Sequence, residues 1–93
     1  MTDAEIVALI KIDLGIASTT KDALLEHLEK TAKKNIETEG ITLALNDIAD
    51  CDLVRMYTVY LFQKRSADDT SMPRMLRYAL NQRLIAEKGA VDV

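Results

Sequence analysis

The chain has 93 residues, enough for one small domain, and its 48% hydrophobic and 29% charged residues are typical of a globular protein. It contains no apolar run of the ~18 residues that a membrane span needs, and its acidic N-terminus lacks the basic segment of a signal peptide. We therefore expect a single domain over residues 1–93, made in the cytoplasm and not inserted in a membrane. One cysteine, Cys51, excludes an intrachain disulfide and a metal site built on paired cysteines.

The net charge of −3 is unevenly distributed along the chain. Residues 1–52 contain five Lys and eleven Asp or Glu, a net charge of −6, whereas residues 53–93 contain seven Lys or Arg and four Asp or Glu, a net charge of +3. Such a distribution can steer one protein surface onto another and, between identical subunits, favours head-to-tail contact. Chance in a short chain explains the same distribution.

The first predicted helix covers about residues 3–14. Thr2 and Glu5 form a T-x-x-E capping box at its start. Gly15 suits the left-handed backbone conformation that ends a helix. Between these signals, apolar residues recur at helical spacing at Ile6, Leu9, Ile10 and Leu14.

Two longer helices are predicted over about residues 20–39 and 47–65. Thr19 or Thr20 is expected to cap the first of them, and Gly40 to end it. The second is apolar around most of its circumference, which indicates a central position or a subunit interface. At ~1.5 Å per residue each helix is roughly 27 Å long, so we expect them to form an antiparallel pair that is the body of the fold.

The segment ITLALNDIADC, residues 41–51, joins these two helices. Its first apolar residues alternate with small or polar ones, at Ile41, Leu43 and Leu45. Alternation suits a short strand, but a single strand has no partner in this chain. We therefore predict an apolar connection packed onto the helices, with Asn46 or Asp47 capping the next helix.

A polar loop, residues 66–71, is followed by a predicted C-terminal helix over about residues 72–88. Pro73 is acceptable at a first helical position, where its missing N–H would be unpaired in any case, and Gly89 is expected to end the helix. One apolar stripe is expected to face the core, and it consists of Met72, Met75, Leu76, Ala79, Leu80 and Leu84. The arginines of this helix are expected on its other faces. The pattern as a whole predicts an all-α, four-helix domain.

Few residues could support catalysis or metal binding. His27 is the only histidine, and no nucleophile can be placed beside it from the sequence. Cys51 is surrounded by Asp47, Asp50 and Asp52, which would raise a thiol pKa, and these acids lack the glycine and closing glutamate of a calcium-binding loop. Acids at a helix N-terminus explain them. We expect no enzyme activity, metal or cofactor.

The basic residues of the C-terminal helix raise the alternative of nucleic-acid binding. They are Arg74, Arg77, Arg83 and Lys88. The isoelectric point of about 5.0 argues against it, because nucleic-acid-binding domains are usually basic. A small DNA-binding helical accessory or regulatory protein is therefore the second hypothesis.

Three segments resemble the small head–tail connector proteins of long-tailed phages and prophages, also described as head-completion, adaptor or DNA-packaging proteins. They are IVALIKIDLGI followed by KDALLEHLEKTAKKNIE, then DLVRMYTVYLFQKR, and finally MPRMLRYALNQRL. The likeness extends from about Ile6 to Leu84. Residues 41–51 and the short tail after Leu84 depart from the family pattern.

The resemblance implies an all-helical, non-catalytic subunit that assembles with copies of itself into a ring. The ring would bind the portal protein and a tail-proximal neck or stopper protein, and it would extend the DNA channel at the head–tail junction of the virion. DNA would be touched without sequence preference. Candidate contacts with neighbouring subunits, the portal or the channel are the cations Arg55, Lys64, Arg65, Arg74, Arg77, Arg83 and Lys88.

Overall fold

Four α-helices make up this protein in its computed structural model, which describes residues 2–65 and 71–91. They are α1 (Asp3–Leu14), α2 (Asp22–Thr38), α3 (Ile48–Lys64) and α4 (Arg74–Val91). No strand occurs within the described ranges, and the all-α prediction is confirmed. The polar loop predicted at residues 66–71 lies outside these ranges except for Ser71.

Local capping signals set the ends of α1 and the start of α3. The Thr2 hydroxyl accepts a hydrogen bond from the Glu5 amide at 3.2 Å, and the Glu5 carboxylate accepts one from the Thr2 amide at 3.0 Å. Gly15 has a φ of 69°, and its N–H donates back into the last turn of α1. Asp47 caps α3 by accepting a hydrogen bond from the Ala49 amide at 2.9 Å. These predicted caps are confirmed.

Three predicted helix signals are wrong. Pro73 was expected at the first helical position, but α4 begins at Arg74, and the Pro73 carbonyl oxygen only accepts the first bond of the helix, from the Arg77 amide at 3.1 Å. The residue before α2 is Lys21, which provides no side-chain cap. Thr20, one of the two expected caps, bonds instead to the Ser18 hydroxyl at 2.9 Å. At the other end of the chain, α4 continues through Gly89 to Val91. A glycine inside a helix costs only about 1 kcal/mol relative to alanine, so its presence alone does not end one.

The core lies between α1, α2 and α3. The apolar side chains that are completely buried in these three helices are Ile6, Ile10, Leu25, Ala32, Ile36 and Val54. Helix α3 contacts each of the other helices, which agrees with the central position that was one of the two alternatives predicted for it. The extensive packing of α2 on α3 is consistent with the antiparallel pair expected as the body of the fold.

The connection before α3 packs onto the helices without forming a strand. Ile41 is buried, and Leu43 and Leu45 are half-buried. The Ala44 amide donates to the buried Asp50 carboxylate at 2.9 Å. This bond fastens the connection to the first turn of α3, and the predicted apolar connection is confirmed.

Helix α4 packs mainly on α3 and contributes two buried side chains, Leu76 and Leu80. Met75 was expected on the same apolar stripe, but its side chain is 77% exposed. Successive helical residues are about 100° apart, so packing mainly on one helix buries only a narrow strip of α4. Within the described ranges, none of the helices has the length and apolar character required to cross a bilayer.

Candidate interaction surface

An open apolar depression lies between α3 and α4. Its largest part has a volume of about 600 Å³, and it is lined by Met56 together with Arg74, Met75, Arg77, Tyr78, Ala79 and Asn81. An adjoining part of about 220 Å³ shares Met56 and Met75 and adds Val59 and Pro73. We call the combined depression the Met56 groove. Methionine side chains adapt to irregular partners, which suits such a surface for protein contact.

The outer face of α4 carries three exposed apolar residues beside this groove. Met75, Tyr78 and Ile85 are 77%, 66% and 64% exposed. Their spacing of three and seven residues places them on one side of the helix. A single exposed apolar residue is ordinary, but several large ones on one side of a helix are typical of a binding surface.

The border of the Met56 groove is positively charged on its α4 side. Arg74 is exposed and forms no ion pair with any residue of the described ranges. Arg77 lies 3.3 Å from Glu39, so its charge is partly balanced within the subunit. On the α3 side, Asp13 and Arg55 form a two-point ion pair in which Arg55 Nη2 lies 2.7 Å from Asp13 Oδ1. The Arg55 guanidinium lowers the pKa of the Asp13 carboxyl below its ordinary value.

The structure does not gather the seven predicted contact cations into one patch. Arg55 links α3 to α1, while Arg74, Arg77 and Lys88 lie along α4. At the end of α3, the Lys64 ammonium lies 5.6 Å from the Tyr60 ring centre, and the Arg65 guanidinium lies 5.6 Å from that of Phe62. Their contact with other subunits, the portal or DNA stays a prediction.

Arg83 has an intramolecular partner that sequence reasoning missed. Its guanidinium lies 2.7 Å from the Asp50 carboxylate, which is 2% exposed, and 2.6 Å from the Thr42 carbonyl oxygen. Glu87, one helical turn away, lies 3.0 Å from the same group. Arg83 thereby fastens α4 to α3 and to the connection before it. The carboxylate of Asp50 needs this partner because an unpaired buried charge is strongly unfavourable.

A second buried acid, Glu29, lies between α1 and α2. Its side chain is completely buried, and neither carboxylate oxygen has a hydrogen-bond partner in the described ranges. Lys33 Nζ lies 3.9 Å from Glu29 and 2.9 Å from Asp3. Burial, reinforced by the nearby Asp3 carboxylate, raises the pKa of Glu29 to about 7. This group can therefore make the packing of α1 on α2 depend on pH.

The two residues considered for catalysis, His27 and Cys51, have different environments. His27 is exposed on α2. Cys51 is buried, and its thiol donates to the Leu45 carbonyl oxygen at 3.0 Å, which gives it a packing role. No group of three or more potential metal ligands occurs in the part of the chain that the structure describes.

Comparisons with known proteins identify no relative of this chain. No family model, curated protein or solved structure matches it. Any functional proposal therefore depends on the chain's own surface and on the sequence patterns described above.

Proposed function

We propose that this chain is a structural subunit of a phage or prophage head–tail connector. In this role it forms an oligomeric ring below the portal, extends the DNA channel and joins head to tail. The observation that supports the proposal is the row of Met75, Tyr78 and Ile85 beside the Met56 groove. Such a surface gains stability when a protein partner removes it from water.

The partners follow from the same proposal. Copies of the chain contact each other in the ring, the portal protein binds on the head side, and a neck or stopper protein binds on the tail side. The virion is the final location, after synthesis in the host cytoplasm. DNA passes through the ring without sequence-specific contact, and no catalytic step is involved.

Duplex DNA binding is the competing function, and the ion pairs of the subunit weaken it. Arg55, Arg77 and Arg83 are already paired with carboxylates of the same chain. A DNA-binding surface instead presents cations to phosphates, and its affinity falls steeply with salt. A mobility-shift measurement in low salt tests this function, because a protein that acts by binding DNA must retard a duplex under those conditions, and the absence of a shift contradicts it.

The direct test is assembly on a portal ring. The chain is mixed with the portal protein of the phage or prophage whose genome carries its gene, and the complex is examined by negative-stain electron microscopy. We expect a ring of added density on one end of the portal. Replacing Tyr78 with Asp should abolish that density, whereas replacing the exposed His27 with Asp should leave it intact. A chain that stays monomeric at high concentration and does not bind the portal contradicts the proposal.

A further inference from the structure

The Met56 groove has a lining that is complementary to an apolar, negatively charged partner. Its floor consists of Met56 and Val59, and its α4 wall consists of Met75 and Tyr78. Arg74 stands at the border without an ion pair to any described residue. Aromatic and arginine side chains beside an apolar pocket are common energetic centres of protein interfaces.

Charge disfavours a symmetric contact between two copies of α4. Arg74 and Lys88 lie near opposite ends of the exposed side of this helix. An antiparallel pair of α4 helices would therefore place Arg74 of one copy near Lys88 of the other, and like charges across an interface are repulsive. The complementary surface must come from another part of the chain.

Two other large apolar side chains are exposed in the described ranges, Ile12 and Ile48, each 74% exposed. The charges that flank Ile12 are already balanced within the subunit. Lys11 lies 2.9 Å from Asp22, and Asp13 is bound by Arg55. Ile12 therefore presents little net negative charge to a basic partner.

Ile48 differs because the charges of its acidic neighbours are not balanced by close ion pairs. Asp47 accepts a hydrogen bond from the Ala49 amide and pairs with no cation of the described ranges. Asp52, one turn beyond Ile48, is 54% exposed and lies 3.7 Å from an Arg55 that is held more closely by Asp13. The start of α3 is thus an exposed apolar residue bordered by carboxylates.

We propose that Ile48 of one copy inserts into the Met56 groove of a second copy, with Asp47 and Asp52 facing Arg74. This inference rests on the proposed function, since it supplies the contact between neighbouring subunits. In this contact the insertion point of the second copy stays free for a third copy, so the contact is heterologous. Repetition of a heterologous contact forms a ring when the rotation closes.

Cysteine cross-linking tests the contact between copies even when it is weak, because a disulfide traps it covalently. A chain with both Ile48→Cys and Met75→Cys, at about 1 mM and under mild oxidation, should give a ladder of covalent oligomers on a non-reducing gel. Each single variant should give dimers at most. The matched control combines Met75→Cys with Glu26→Cys, an exposed position on α2, and should give no ladder. Cys51 is buried and common to all variants, so it does not distinguish them.

A mixing experiment checks the direction of the contact. Ile48→Arg removes the insertion point, and Tyr78→Asp removes the groove; both positions are exposed, so circular dichroism should be unchanged. Each variant alone should lose assembly. An equimolar mixture should recover dimers of twice the monomer mass, and nothing larger, because one intact insertion point meets one intact groove.

The outcomes separate this inference from the proposed function. No ladder from the Ile48→Cys/Met75→Cys chain overturns the inference. If the unmodified chain nevertheless forms rings on the portal, the groove is filled by the portal or another face, and the connector proposal stands. A ladder without any portal binding supports self-assembly through these residues and contradicts the connector proposal.

Discussion

Helix α4 and the body formed by α1, α2 and α3 are held in different ways. The body buries apolar side chains from three directions, with Ile10, Leu25 and Val54 at 0% exposure. Among the α4 residues whose burial the structure describes, only Leu76 and Leu80 are buried, and the helix is fastened by charged contacts such as the one between Arg83 and Asp50. The body thus depends on burial, whereas α4 depends on a narrow apolar strip and ion pairs.

This difference assigns separate roles to the two regions. A helix docked along one strip leaves its remaining circumference available to a partner, which is where Met75, Tyr78 and Ile85 lie. Substitutions in the body should lower the stability of the fold, while those on the outer face of α4 should affect assembly alone. Each of the following predictions tests that separation.

The largest effect is expected in the body. Replacing Ile36, which is 0% exposed, with Ala should cost about 2–5 kcal/mol of unfolding free energy, because it removes buried methyl groups and leaves a cavity. The matched change of Ile85, which is 64% exposed, should cost less than about 0.5 kcal/mol. Urea denaturation followed by circular dichroism measures both. Equal costs at the two positions would remove the distinction between body and outer face.

The second largest effect on the unfolding free energy is expected from the loss of Arg83, which attaches α4 to α3. Replacing it with Met leaves the Asp50 carboxylate buried without its cation, and we expect a loss of about 3 kcal/mol. Adding Asp50→Asn should recover part of that loss, because the unpaired charge is removed. Arg74→Met is the control and should change the stability by less than about 0.5 kcal/mol. Urea unfolding of the three variants and the unmodified chain is the measurement. A small effect of Arg83→Met would mean that the apolar strip alone holds α4.

Local signals allowed most of the fold to be predicted. The Thr2–Glu5 capping box, the glycine at position 15 and the Asp47 cap act within a few residues, so the sequence displays both partners of each interaction. The apolar residues around most of the circumference of α3 likewise indicated either a central position or a subunit interface. These features depend on neighbouring residues and not on how the helices are arranged.

The candidate surface could not be predicted from the spacing of residues in the sequence. Asp50 and Arg83 are 33 residues apart, and no local pattern distinguishes a buried acid from one that merely begins a helix. Met75 belongs to the same helical stripe as Leu76, but which side of the stripe is covered depends on how α4 packs on α3, its main neighbour. The Met56 groove exists only once α3 and α4 are packed together.

The pH dependence of the body should be governed by Glu29. Its pKa is raised from an ordinary 4.5 to about 7, so the folded state binds this proton more tightly than the unfolded chain does. The corresponding stability is fully present below pH 4.5 and is lost as the pH rises through about 7. Asp3 and Lys30 and Lys33 also face this group, and the lysines limit the effect.

We therefore expect the unfolding free energy to fall by about 2 kcal/mol between pH 5 and pH 8. Glu29→Gln, which cannot ionise, should flatten this decline, while Glu26→Gln on the exposed side of α2 should leave it unchanged. Urea unfolding at both pH values provides the comparison. A decline of the same size in Glu29→Gln would place its origin in another group.

The smallest effect on stability is expected on the outer face of α4, where the effect on assembly should be largest. Tyr78→Ala should change the unfolding free energy by less than about 0.5 kcal/mol, because the ring is 66% exposed in the subunit. Sedimentation velocity should nevertheless show that the variant stays monomeric where the unmodified chain associates. Leu80→Ala on the opposite, buried side of the same helix should destabilise the fold first. A Tyr78→Ala chain that assembles normally would show that α4 faces solvent in the assembly as it does in the subunit, and the partner surface would then have to be sought on α1 or α2.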